Sequence, residues 1–241
     1  MRLSPKYLVL LPLLATLGAR AQPERDFAQR TNIGIQIPFS KQTEIAARYR
    51  LKLFDNASRF QRSMWSVEIT QDLPWKGFKA GGEYRFYTTE EMDYHRFQAF
   101  LRYSHKLNRW TPSLRLQFQQ KQDYFDETYL QYHPPDRVWR QRLQLKYEVD
   151  KKLELYGFAE FFQQMEPGNY NFYRVRYAIG LDYSYKKRHQ LNLELFYNDE
   201  FHLKRPEDVF TVDVSYYFKL RRLDKKKKSK PTDTATDTTK P

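Results

Sequence analysis

The sequence predicts an all-β chain, an antiparallel transmembrane β-barrel of about ten to twelve strands. Three observations carry this. About eleven segments alternate between apolar and polar residues, as half-buried strands do. These segments run to roughly 9–13 residues, nearer the length of a tilted membrane strand than of a soluble one. The chain also opens like an exported protein, yet no later stretch holds 18 consecutive apolar residues, so helical spans are excluded.

The opening MRLSPKYLVLLPLLATLGARAQ has a basic start (Arg2, Lys6) and an apolar run from Tyr7 to Leu17, interrupted by Pro12 and Thr16. Ala19-Arg20-Ala21 then supplies a small-x-small cleavage site. This reads as a signal peptide, residues 1–21, cleaved after Ala21, with delivery to the outer membrane. The barrel is expected over 22–220 and a disordered basic tail over 221–241.

The strands follow in order. TNIGIQIPF (31–39) is a weak candidate. EIAARYRLKLF (44–54), SMWSVEIT (63–70), FKAGGEYRFY (78–87), RFQAFLRYS (96–104) and SLRLQFQQ (113–120) are firm. So are RQRLQLKYEV (140–149), KLELYGFAEFF (152–162), YRVRYAIGLDYSY (173–185), QLNLELFYN (190–198) and VFTVDVSYYF (209–218). Short connections near 38–41, 73–75, 107–109, 150–151 and 186–189 alternate with longer polar ones at 55–60, 88–94, 121–137, 165–171 and 199–207. Short turns on one side and long loops on the other suit a membrane barrel. Tyr103, Tyr147, Tyr183, Tyr185, Tyr216 and Phe218 gather near the short-turn ends, with Trp75 and Trp110 just past short turns, as an interfacial girdle would. An even strand number predicts ten strands, with 31–37 a plug or cap, or twelve, with one more hidden in 23–30; either count leaves both chain ends in the periplasm.

Alternation alone does not say which face is inside. The export signal, the strand length and the nearly charge-free apolar rows assign the polar face to the lumen. The candidate lumen residues are Arg48, Arg50, Glu68, Glu83, Arg85, Arg102, Arg115, Arg142, Glu160, Arg174, Arg176, Glu194 and Asp213. Arg140 and several lysines share their parity. Arginine suits cross-strand carboxylate pairing in a tight space. Two readings stay open: a small pore or transport barrel, whose basic surplus would favour anions, or a closed structural or surface-interaction barrel without conductance. A soluble periplasmic ligand-binding barrel is the third.

Other chemistry finds little support. The chain has no cysteine, hence no thiolate nucleophile, disulfide or Cys-ligated metal. Ser104 and His105 are adjacent, but neighbouring strand residues face opposite sides and cannot form a nucleophile–base pair. No enzyme activity and no cofactor or metal are expected. The net charge of +13 first suggests nucleic acid. However, residues 1–21 carry three of the basic residues, and 221–241 carries eight against three acids, which leaves +5 for 22–220. Nucleic acid is therefore not an expected partner; outer-membrane lipid and the barrel-assembly machinery are.

The ARAQ signal end, LNRW, GGEYRFY, RQRLQLKYEV, RYAIGLDYSYKKRHQLNLELFYN and the terminal VFTVDVSYYF together resemble an uncharacterised family of predicted outer-membrane β-barrels of Gram-negative bacteria, a domain of unknown function. The resemblance covers about residues 25–220. It implies a barrel fold and transfers no site residues. One departure is the tail, since 23 residues follow Phe218.

Overall fold

The computed structural model describes residues 26–123, 136–166, 169–186, 188–201 and 209–221. The signal segment, most of the basic tail, His133 and His202 lie outside the described residues. Eleven strands form one closed barrel, each paired with its neighbours in sequence. They are β1 (Asp26–Pro38), β2 (Thr43–Phe54), β3 (Arg59–Asp72), β4 (Phe78–Thr89), β5 (Asp93–Ser104) and β6 (Trp110–Gln122). β7 (Asp136–Glu148), β8 (Leu153–Glu166), β9 (Asn169–Tyr185), β10 (His189–Glu200) and β11 (Val209–Lys219) complete it.

Eleven lies within the expected ten to twelve strands, but the number is odd, where an even one is expected. The weak segment at 31–37 is neither plug nor cap: it is the core of a full strand of 13 residues. Each hairpin reverses the chain direction, so an odd number of strands leaves the first and last running the same way. β1 and β11 accordingly pair in parallel, from Asp26 opposite Val209 to Gln36 opposite Lys219. All other pairs are antiparallel. This also corrects the expectation that both chain ends share one side. β1 begins at the rim that carries the β2–β3, β4–β5, β6–β7, β8–β9 and β10–β11 connections, here called the upper rim. β11 ends at the opposite, lower rim, where the backbone N–H of Leu220 donates to the carbonyl of Gln36.

The contrast of short and long connections is weaker than the sequence suggests. The strands run on into the polar stretches, so residues 55–58 and 90–92 make hairpins as tight as those of the lower rim. β8 and β9 remain paired out to Glu166 opposite Asn169. Only 123–135 and 201–208 are long. At the lower rim Gly77 takes φ +86, and a Cβ there would lie 2.3 Å from the Ser104 carbonyl oxygen, so this turn requires glycine.

The apolar rows face outward. Ile33, Trp65, Val67 and Ile69 are 59%, 61%, 49% and 51% exposed. The polar rows face inward, where Asn32, Glu83, Gln98, Gln117, Glu160, Asp182 and Asp213 are buried. This is the inverse of a soluble barrel, which packs apolar side chains inside. Tyr103, Tyr183, Tyr185 and Tyr216 are exposed on the outer face toward the lower rim, with Trp75 and Trp110 beside them.

Candidate functional site, an arginine-rich lumen

Three polar groups hold most of the candidate lumen residues, and a smaller one, in which Lys146 pairs with Asp182 at 2.7 Å and Glu154 at 3.3 Å, lies nearer the lower rim. The first rivets the parallel seam. Asp213 of β11 accepts from the Arg30 guanidinium at 2.7 Å, from Asn32 Nδ2 at 2.6 Å and from Ser215 Oγ at 2.7 Å. Asn32 also donates to Ser215 Oγ at 2.8 Å and accepts from Arg50. Glu194 of β10 lies 3.8 Å from Arg30 and accepts from the Tyr156 hydroxyl at 2.9 Å. Parallel ladders are slightly weaker per residue than antiparallel ones, so side-chain bonds across this seam carry more of its cohesion.

The second group spans β2 to β4. Arg48 pairs with Glu68 and lies 3.4 Å from Glu83. Arg85 pairs with Glu83 at 2.6 Å and donates to the Tyr87 hydroxyl at 3.3 Å. Above it Tyr87 and Tyr94 stack at 4.5 Å over buried Met64. Arg62 and Arg96 cap these rings, and each donates to a tyrosine hydroxyl.

The third group gathers on Glu160 of β8, which is 0% exposed. Arg115 approaches it at 3.0 Å, Arg140 at 2.8 Å, Arg142 at 3.1 Å and Arg176 at 3.7 Å. Four guanidinium groups thus share one carboxylate. The Arg142 guanidinium also sits 3.9 Å over the Phe158 ring. Gln98, Gln117 and Gln119 form a buried amide chain alongside, which ends on Arg140.

Strand register explains this concentration. Lys79, Arg102, Arg115, Arg142, Glu160 and Arg176 stand in direct cross-strand succession from β4 to β9. Five of these six positions are cationic, although like charges opposite one another are destabilising. Arg85, Arg96 and Lys121 repeat the pattern nearer the upper rim. Among the described residues Arg102 has no carboxylate within ion-pair distance and packs against the Phe100 ring. Arg174 pairs with Glu200 toward the upper rim, and its guanidinium lies 5.4 Å over the Phe162 ring that Arg140 and Arg176 also face. The buried Nε atoms of Arg30, Arg48, Arg85, Arg96, Arg115, Arg140 and Arg174 have no hydrogen-bond partner among the described residues.

The sequence reading did not include Arg30, Asn32, Arg62, Tyr87 or Tyr94 as lumen candidates. Extending the period-two pattern of β3 by one residue would have found Arg62. Arg30 stands where β1 shows no apolar alternation. Ser104, the tempting neighbour of His105, directs its hydroxyl to the Gly77 carbonyl at 3.5 Å. Among the described residues no cluster of three or more His, Asp or Glu side chains could hold a metal ion.

Several solved barrels are similar in fold. The KdgM porin shares 10% identity over 72% of this chain and 91% of its own, with a TM-score of 0.46. The β domain of the Bordetella autotransporter BrkA shares 10% identity over 70% of this chain and 78% of its own, with a TM-score of 0.41. The outer-membrane OmpT of Vibrio cholerae shares 10% over 66% of this chain, with a TM-score of 0.38, and the match spans 54% of its length. No curated protein matches the chain. Residues 30–209 match a protein family of unknown function, DUF2490, and the chain belongs to that family.

Proposed function

We propose that this is an outer-membrane β-barrel, exported by a signal peptide cleaved after Ala21, whose narrow lumen binds and passes small anions without catalysing a reaction. The membrane reading rests on the inverted surface and on strand length. A strand such as β10, with 12 residues, reaches about 30 Å when tilted by ~40°, the thickness of a bilayer core. A soluble periplasmic barrel would instead expose Trp65, Val67 and Ile69 to water. Lipid and the barrel-assembly machinery are the partners this reading implies.

The observation that carries the anion reading is the cross-strand row, which runs on from Lys79 to its partner Asp72 of β3 at 2.8 Å and sets five cations against two carboxylates. Buried charge must be compensated, and here the fixed carboxylates fall short. Arg115 and Arg142 keep side-chain exposures of 18% and 20% inside the barrel, so mobile ions can reach them. Planar-bilayer recordings in a KCl gradient test this: the reversal potential should lie on the chloride side. Cation selectivity would refute it. A second reading is favoured by the complete burial of Glu160 and the near-complete burial of Asn32 and Met64, which fill the middle of the lumen. It is a closed barrel of structural or surface-interaction role, and absence of conductance above the bare bilayer would establish it over the pore.

A further inference from the structure

The outer wall carries a feature that the lumen does not explain. Over β6 to β10 the outer surface forms an apolar groove of about 1040 Å³. Its floor is Gly157 and Ala159 of β8, and its walls are Leu143 and Leu145 of β7 and Ile179 and Leu181 of β9. The walls stand up because Leu143 and Ile179 project 56% and 51% exposed beside a strand with almost no side chain at that level. The groove runs down to Trp110 and Tyr147, whose rings meet at 4.6 Å near the lower rim.

The lower rim beside the groove is cationic. Arg109, Lys151 and Lys152 are exposed there. The acids nearby are already engaged: Glu148 accepts from Lys106 at 2.6 Å, and Asp150 accepts from the backbone N–H groups of Lys152 and Leu153 at 2.6 and 2.9 Å. An apolar channel leads to an aromatic boundary and then to cations that make no ion pair among the described residues, which matches a lipid with an anionic head. We propose that this groove seats an acyl chain of an anionic glycerophospholipid in the leaflet at the lower rim, with its phosphate held by Arg109, Lys151 and Lys152. The inference rests on the membrane-spanning reading and is independent of whether the lumen conducts.

Native mass spectrometry tests it. The full chain would be released from nanodiscs of equimolar phosphatidylglycerol and phosphatidylethanolamine. Retained phosphatidylglycerol should exceed phosphatidylethanolamine by about fivefold, as attraction of an acidic lipid by surface cations predicts. The double substitution K151E/K152E should abolish that preference. Gly157→Leu should reduce retention of both lipids. It should still fold, because a Cβ at Gly157 meets nothing closer than the Ala178 carbonyl oxygen at 3.5 Å. Retention in the bulk ratio, or retention unchanged in both variants, would overturn the proposal. So would a disulfide-linked dimer of Ala159→Cys in this cysteine-free chain, which would assign the groove to a second copy. Failure of the membrane reading shows separately, as release of the wild-type chain from membranes by carbonate.

Discussion

Replacing Asp213 by alanine should open the barrel at its seam. The carboxylate accepts three hydrogen bonds, one of them from the Arg30 guanidinium, and its side chain is almost wholly buried. Removing one partner of a buried ion pair costs about 3–5 kcal/mol, since the remaining charge is left without compensation. Arg30 keeps Glu194 at 3.8 Å and the Phe196 ring at 4.3 Å, which places the expected loss near the lower end, about 3 kcal/mol. Urea unfolding of the micelle-refolded barrel, followed by tryptophan fluorescence, measures it as a lowered midpoint at constant slope. Arg30→Ala in the same background removes the stranded charge. The double variant should therefore lose about 1–3 kcal/mol less than the sum of the single losses. A loss below about 1 kcal/mol for Asp213→Ala, or strict additivity in the cycle, would refute the seam as an electrostatic rivet.

Three further outcomes are expected. Single cysteines are clean probes in this cysteine-free chain. A tag in residues 22–25 and a cysteine at Glu91 should be accessible from the same side of the membrane, and a cysteine at Lys151 from the other; labelling of the tag together with Lys151 would contradict the parallel closure. Gly180→Ala should destabilise the barrel by about 1–3 kcal/mol, because its Cβ would sit 2.5 Å from the Tyr156 ring and 2.8 Å from the Leu193 carbonyl oxygen; Gly157→Ala should be close to neutral, and equal urea midpoints for the two would contradict this packing. The Asp150 carboxyl is held below its ordinary value by the N–H of Lys152 and then that of Leu153. Its contribution to the β7–β8 turn is complete above the ordinary carboxylate range and is lost as pH falls through the lowered value. The protection factor of the Leu153 amide, with its intrinsic exchange rate divided out, should therefore fall only in acid, and Asp150→Asn should abolish that dependence; a fall in protection near neutral pH would disprove the link.

Much of this barrel is legible in the residues, because period-two alternation is a local property. β2 to β11 all show it, and the parity that assigns Glu160 or Asp213 to the lumen follows at once. β1 is obscured for a physical reason. Gln29 and Thr31 stand on its outward-facing parity while Ala28 is buried inside, so the apolar row becomes visible only from Ile33. Closure is a global property: whether ten, eleven or twelve strands meet depends on this one segment. The lumen residues are individually legible, but their grouping needs register. Nothing local shows that Arg102, Arg115 and Arg142 stand side by side, or that Glu160 meets Arg140 and Arg176 together.

The parallel seam has a consequence for how such a barrel can change. Adding or deleting a whole hairpin alters the strand number by two, and so preserves parity. Any descendant reached by hairpin duplication alone would keep its first and last strands co-directional, with its termini on opposite faces. Only the gain or loss of a single strand at one end would bring both termini to the same face, and it would require the Asn32–Asp213 contact to be rebuilt against a strand running the other way.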